Sequence, residues 1–237
     1  MPPIQWLLTS LFVSHVVGDF YLQSNRLCQQ KQEKKALSPF MYLHAALMGI
    51  LAWAMVPQSG FVICALGIAV THLAIDMGKA YVRHGIAAFV IDQLLHIAVL
   101  VVVALLYVPQ AMLPLQWFAH VFPISFILMV LGMMVAGKPT NILIKLILEK
   151  YQIGSNESCR EIKNAGALIG NLERVLTIIF VLIGRYEAVG FIIAAKSILR
   201  FKDTDTPKTE YVLAGTFLSF GIAVIIGLVI DWLSCRL

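Results

Sequence analysis

Charge is scarce in this sequence: 13% of its 237 residues are charged, 59% are hydrophobic, and the mean hydropathy is +0.84. A soluble domain carries about twice that share of charge, so the chain reads as a multi-pass membrane protein. Strict apolar–polar alternation is lacking too, and the apolar stretches are continuous, which excludes barrel strands and leaves helices. Cysteine is sparse. Cys28, Cys64, Cys159 and Cys235 stand apart with no CxxC spacing, which excludes a thiolate zinc site and a disulfide framework. No basic residue precedes the first apolar segment and no small-residue cleavage site ends it, so it reads as a retained span rather than a signal peptide. The net charge of +5 is the excess that basic cytoplasmic loops produce, and it gives no reason to expect nucleic acid.

What is present is a series of apolar segments separated by loops of contrasting charge. The first covers residues 4–22, and the loop after it holds Arg26, Lys31, Lys34 and Lys35 against Glu33 alone. The second covers 40–56, the uncharged turn 57–60 follows, and the third covers 61–77. Lys79, Arg83 and His84 then mark another basic loop before the fourth segment at about 88–108 and the fifth at about 120–136. Under the positive-inside rule the basic loops are cytoplasmic. The expected fold is all-α: a polytopic transmembrane bundle of about 6–8 membrane segments. Three parts are expected: a five-span bundle at 1–136, a cytoplasmic amphipathic connector at 137–164, and C-terminal membrane segments at 165–237.

The polar residues inside these segments are not scattered. Of six aspartates, three lie in the first four spans, and each has a histidine four residues away: His15 and Asp19, His72 and Asp76, Asp92 and His96. Positions i and i+4 share one helical face about 6 Å apart along the axis. His44 adds a further imidazole at the start of span two, and Gln23 continues the four-residue step from Asp19. On the expected topology, His15, Asp19, His44, His72, Asp76, Asp92 and His96 fall at one depth near the cytoplasmic ends of four helices. Imidazole and carboxylate groups at one depth suit a divalent transition metal, zinc first, with manganese or iron as alternatives. One or two ions are compatible with seven donors. A metal-free hydrogen-bonded network is the competing reading, because polar groups in membrane helices also serve to join helices.

The second half carries a different chemistry. Glu173 and Arg174 interrupt an apolar segment, and Lys196 and Arg200 stand four apart on one face. Glu173 and Arg174 are expected to be paired or to face a polar cavity, and all four are read as a binding set for the anionic part of a substrate, with snorkelling to lipid phosphates as the plainer account of Lys196 and Arg200. His84 and His120 fall outside the four-residue pattern.

HVVGDFYLQ at 15–23, THLAIDMGK at 71–79, DQLLH at 92–96, GALIGNLERVL and AAKSILRF together resemble an uncharacterised bacterial multi-pass membrane family, domain-of-unknown-function family 3307. The resemblance implies a bacterial inner-membrane protein and brings no activity with it. In polar pattern alone the chain is also similar to membrane-bound metal-dependent hydrolases.

The first functional expectation is a membrane-embedded metal-dependent hydrolase acting at the cytoplasmic leaflet on an anionic lipid or lipid-linked phosphate. Asp19, Asp76 and Lys79 are its candidate catalytic residues, and membrane lipid its partner, with self-association left open. The alternatives are a divalent-metal or proton-coupled transporter, which would need polar residues continuing to the far side, and a non-catalytic membrane scaffold.

Overall fold

A computed structural model describes residues 3–119, 121–151, 165–200 and 206–236, and every regular element among them is helical. The chain divides into two compact units, residues 1–123 and 124–237.

The first unit opens with α1 (Pro3–Val16), whose last turn widens into a π-helical segment, Val17–Tyr21, closed by Leu22 N–H on the Val17 carbonyl at 3.0 Å. Ser24 in an extended conformation caps the next helix, accepting the Leu27 N–H at 3.4 Å, and starts α2 (Asn25–Lys34). The basic stretch expected as a loop is thus a helix. A 3₁₀ turn, Lys35–Leu37, and Pro39 at the first position of α3 (Pro39–Met55) then redirect the chain, with an angle of 107° between the helical pair. A short turn, Ser59–Phe61, leads into α4 (Val62–Lys79), followed by α5 (Ile86–Leu106) and the short α6 (Pro114–Ala119). Gln58 ties the two uncharged turns together. Its Oε1 accepts from the Tyr107 hydroxyl and the Gln110 N–H, both at 2.9 Å, and its Nε2 donates to the Ala111 carbonyl at 3.0 Å.

Within this unit α3 packs along α4, α1 against α3 and α5, and α4 against α5. Small residues permit the closest crossing: a Cβ on Gly49 would lie 3.0 Å from both the Ala65 carbonyl oxygen and the Ala69 Cβ. Leu7, Leu11, Val16, Met41, Met48 and Ile68 are buried, whereas Ile63, Leu66, Val70, Leu105 and Leu106 point outward, as lipid-facing side chains do.

The second unit comprises α7 (Ile124–Ala136), α8 (Lys138–Lys150), α9 (Ala165–Leu182), α10 (Tyr186–Arg200) and α11 (Thr206–Arg236). Gly137 alone separates α7 from α8, and the two together make one apolar run of 27 residues, Ile124–Lys150. The remainder of the expected connector, 152–164, lies outside the described residues. Helix α11 packs on α7, α8 and α9 over a core of Leu128, Ala136, Ile178, Ala223 and Ile230. Gly184, at φ +69°, makes the turn from α9 to α10, a conformation favouring glycine.

Four helical runs among the described residues are long and apolar enough to cross a membrane: Ser59–Lys79, Ile86–Leu106, Ile124–Lys150 and Leu213–Cys235; the bent α2–α3 pair would make a fifth. The protein is therefore an all-helical membrane protein.

Candidate metal centre

Helices α1, α3, α4 and α5 each point histidine into the middle of the first unit, and the π segment adds a carboxylate. The four imidazoles form a connected group. His72 and His96 are 4.2 Å apart between ring centroids, His44 and His72 4.9 Å, His15 and His96 5.1 Å, and His15 and His72 6.2 Å. The carboxylates lie among them: Asp19 is 3.3 Å from His44 Nε2 and 4.0 Å from His72 Nε2, Asp76 is 3.7 Å from His72 Nε2, and Asp92 is 3.6 Å from His96 Nδ1. All seven residues singled out by spacing are brought together.

The π segment matters for Asp19. A π turn inserts a wider step into the helix, and such segments are frequent at functional sites. Here it lets the carboxylate of α1's extension reach the histidines of α3 and α4.

Two residue groups place one donor atom each within 4.8 Å of the others: Asp19, His44 and His72, and His72, Asp76 and His96. Both include His72. The second is wholly buried, and its two histidines are the better prepared. His96 Nδ1 lies 2.8 Å from the main-chain carbonyl of Asp92, an acceptor, so Nδ1 must carry the proton and Nε2 keeps its lone pair. That Nε2 and the Nε2 of His72 are both buried without a hydrogen-bond partner, as are His44 Nδ1 and Asp92 Oδ1. Buried polar atoms are nearly always satisfied. Four exceptions in one cluster leave donors and acceptors that a water or an ion could satisfy. An ion with tetrahedral bonds near 2.1 Å sets its donors about 3.4 Å apart, so this group needs only a modest closure.

Two residues missed by the spacing argument, Gln93 and Lys31, complete the cluster together with Gln23, which continues the four-residue step from Asp19. Gln93 accepts from His15 at 3.2 Å and donates to Asp19 at 3.1 Å and to Asp92 at 3.0 Å, bridging α1 and α5. Gln23 donates to His44 Nε2 and, at 3.4 Å, to Asp19. Lys31 of α2 is ion-paired with Asp76, and both side chains are nearly buried. Lys79, a candidate from the outset, donates to Asp92 at 2.6 Å with about a third of its side chain exposed. Gln93 was detectable as an amide inside an apolar segment; Lys31 was not, because it sits among other loop lysines.

A cavity of about 10 Å³ lies against the histidines, lined in part by Ser14, His15, Thr71, His72 and His96. It has room for roughly one water.

The residues expected to bind an anion belong to the second unit. Arg174 is fully buried, and its guanidinium donates to the Ala136 carbonyl, Ser219, Asn141 and Asn171. Lys196 pairs with Glu173 at 2.7 Å. The Arg200 side chain and His120 lie outside the described residues, and His84 is exposed in the α4–α5 turn.

An all-helical membrane protein with a buried histidine–aspartate cluster is the class that fold and site define. Residues 7–122 match the family model described as "Protein of unknown function (DUF3307)", the span that holds the whole cluster, and this supports the resemblance to that uncharacterised domain family. No curated protein and no solved structure matches the chain.

Proposed function

We propose that the first unit is a bacterial inner-membrane, metal-dependent hydrolase whose site opens at the cytoplasmic leaflet toward an anionic lipid or lipid-linked phosphate. The observation that carries this reading is the pair of unpartnered Nε2 atoms on His72 and His96 beside Asp76, with the His96 tautomer set by the Asp92 carbonyl. Ligating histidines characteristically hold their second ring nitrogen in this way.

In this reading His72, Asp76 and His96 hold one divalent ion, zinc first, with manganese or iron as alternatives. The ion, when bound, would supply Lewis acidity to a water. Asp19, 4.0 Å from His72 Nε2 and held by Gln93, would take the proton that water loses as its oxygen attacks phosphorus. Lys79, at the end of α4 and paired with Asp92, would offset the developing negative charge, and the P–O bond to the lipid alcohol would break as Asp19 passes its proton to the alcohol oxygen. His15, His44 and Asp92 orient the ligands, as carboxylates and amides around metal sites do.

Cation transport is the second reading. It is favoured by the cavity's position at Ser14 and by buried Ser10 one turn earlier on α1, whose hydroxyl has no hydrogen-bond partner.

Vesicles of lipid phosphate monoester incubated with metal-loaded protein distinguish the two. Hydrolysis predicts inorganic phosphate release that vanishes in Asp19→Asn. No release, together with metal uptake into protein-containing vesicles, would establish transport instead.

A further inference from the structure

The cation that Asp76 already holds is Lys31. Asp76 is one of three donors in the buried His72, Asp76 and His96 group, yet its carboxylate is ion-paired with an ammonium from a different helix. Lys31 reaches the site from none of the four helices that carry the histidines. It comes from α2, the helix of the basic stretch, which meets α3 at 107°. The Phe40 ring also lies beside its ammonium, 5.8 Å from the ring centroid.

A buried carboxylate in a membrane protein requires a counter-charge, and a lysine and a divalent ion are alternative ways to supply it. The two oppose each other, because a second positive charge beside a filled site is repelled in a medium of low dielectric. We propose that Lys31 is the built-in competitor of the metal, occupying Asp76 when the site is empty and leaving it when a divalent ion binds, so that α2 moves with metal occupancy. This rests on the metal reading above and deepens it by naming the residue that sets the affinity and the element that responds.

The junction between α2 and α3 is built for such a change. Lys35 adopts φ +48°, ψ −129°, the one non-glycine residue at positive φ among those described, and it caps α2 as the first residue of the 3₁₀ turn. A side chain rarely holds this conformation unless neighbouring contacts impose it. At the same junction the Ser38 hydroxyl is buried without a hydrogen-bond partner. On α2 itself, one turn before Lys31, Cys28 donates its thiol to Gln23 Oε1 at 3.0 Å, and Gln23 in turn reaches His44 and Asp19. A movement of α2 therefore disturbs a native thiol next to the cluster.

Two measurements on the full-length protein test the inference. The first compares divalent zinc or manganese affinity by titration calorimetry for the wild type and Lys31→Met. Competition predicts binding tightened about 10-fold or more in Lys31→Met, because the site no longer has to shed its own cation; a purely structural lysine predicts equal or weaker binding and overturns the proposal. The second needs no change at Lys31. In a variant with Cys64, Cys159 and Cys235 replaced by serine, maleimide labelling of Cys28 is timed with and without the ion. A severalfold acceleration at saturating zinc or manganese is expected, and an unchanged rate despite bound metal overturns the proposal. Failure of the metal reading is distinguishable, since then neither the wild type nor Lys31→Met binds the ion.

Discussion

The imidazoles of His72 and His96 lie 4.2 Å apart, on helices α4 and α5, and the Nε2 of each is buried without a hydrogen-bond partner. Two unsatisfied nitrogens inside a membrane protein cost free energy that, on the proposed reading, a bound ion would recover. His72 also belongs to the group with Asp19 and His44. Replacing His72 by alanine is therefore expected to abolish metal binding altogether. His15→Ala removes a ring from neither three-residue group, so it should weaken binding and leave the stoichiometry unchanged. Titration with zinc of the two variants beside the wild type reads this difference directly.

Gln93 holds His15, Asp19 and Asp92 at once, at 3.0 to 3.2 Å. Its loss should act on the metal through the residues it positions, typically 10- to 100-fold in affinity. Gln93→Leu keeps the volume and the apolar surroundings of α5, so the helix should form as before. Circular dichroism unchanged alongside weakened metal binding is the expected pair of results. Unchanged affinity would show that the amide only joins α1 to α5.

At Gly49 the backbone of α4 leaves no space for a side chain. A Cβ there would sit 3.0 Å from the Ala65 carbonyl oxygen, which belongs to a helix backbone and moves only with the helix. Gly49→Val is expected to separate α3 from α4 and cost about 1–3 kcal/mol. It should also displace His44 relative to His72, so metal binding falls together with thermal stability. Gly67, where an added Cβ meets nothing within 4 Å, is the control: Gly67→Ala should leave both unchanged.

In the second unit Arg174 is buried with neutral oxygens as its hydrogen-bond acceptors: Ala136, Ser219, Asn141 and Asn171. One planar guanidinium joins α7, α8, α9 and α11, a task a lysine with a single ammonium does not repeat. Arg174→Lys and Arg174→Ala should both lower the melting temperature of the purified protein, alanine more than lysine. A wild-type melting temperature in Arg174→Ala would mean that the four acceptors find other donors at no cost.

How much of this was legible beforehand follows from what periodicity records. The three histidine–aspartate pairs were visible because a step of four on a straight helix places two side chains on one face. The apolar runs and basic loops then gave those pairs a common depth, and the clustering of His15, His44, His72 and His96 agrees with it. What spacing does not record is local departure from the α-helix. The π segment at Val17–Tyr21 still brings Asp19 in, but the sequence VGDFY carries no mark of it. The helical state of residues 25–34 was hidden because its charged composition resembles a loop, and with it the inward reach of Lys31. The cost of intramembrane charge predicts that Arg174 is paired or faces a polar cavity; its donors meet Asn141, Asn171 and Ser219, the last 45 residues away in the chain. Such distant pairings have no signature in one sequence.

Metal content bears most directly on the whole account. Elemental mass spectrometry on detergent-purified protein, wild type beside His72→Ala, is expected to give close to one equivalent of a divalent transition metal in the wild type and none in the variant. A well-folded wild type that carries no metal, and takes up none when zinc, manganese or iron is supplied, would contradict it and leave the buried histidines and aspartates as a hydrogen-bonded network that joins four helices.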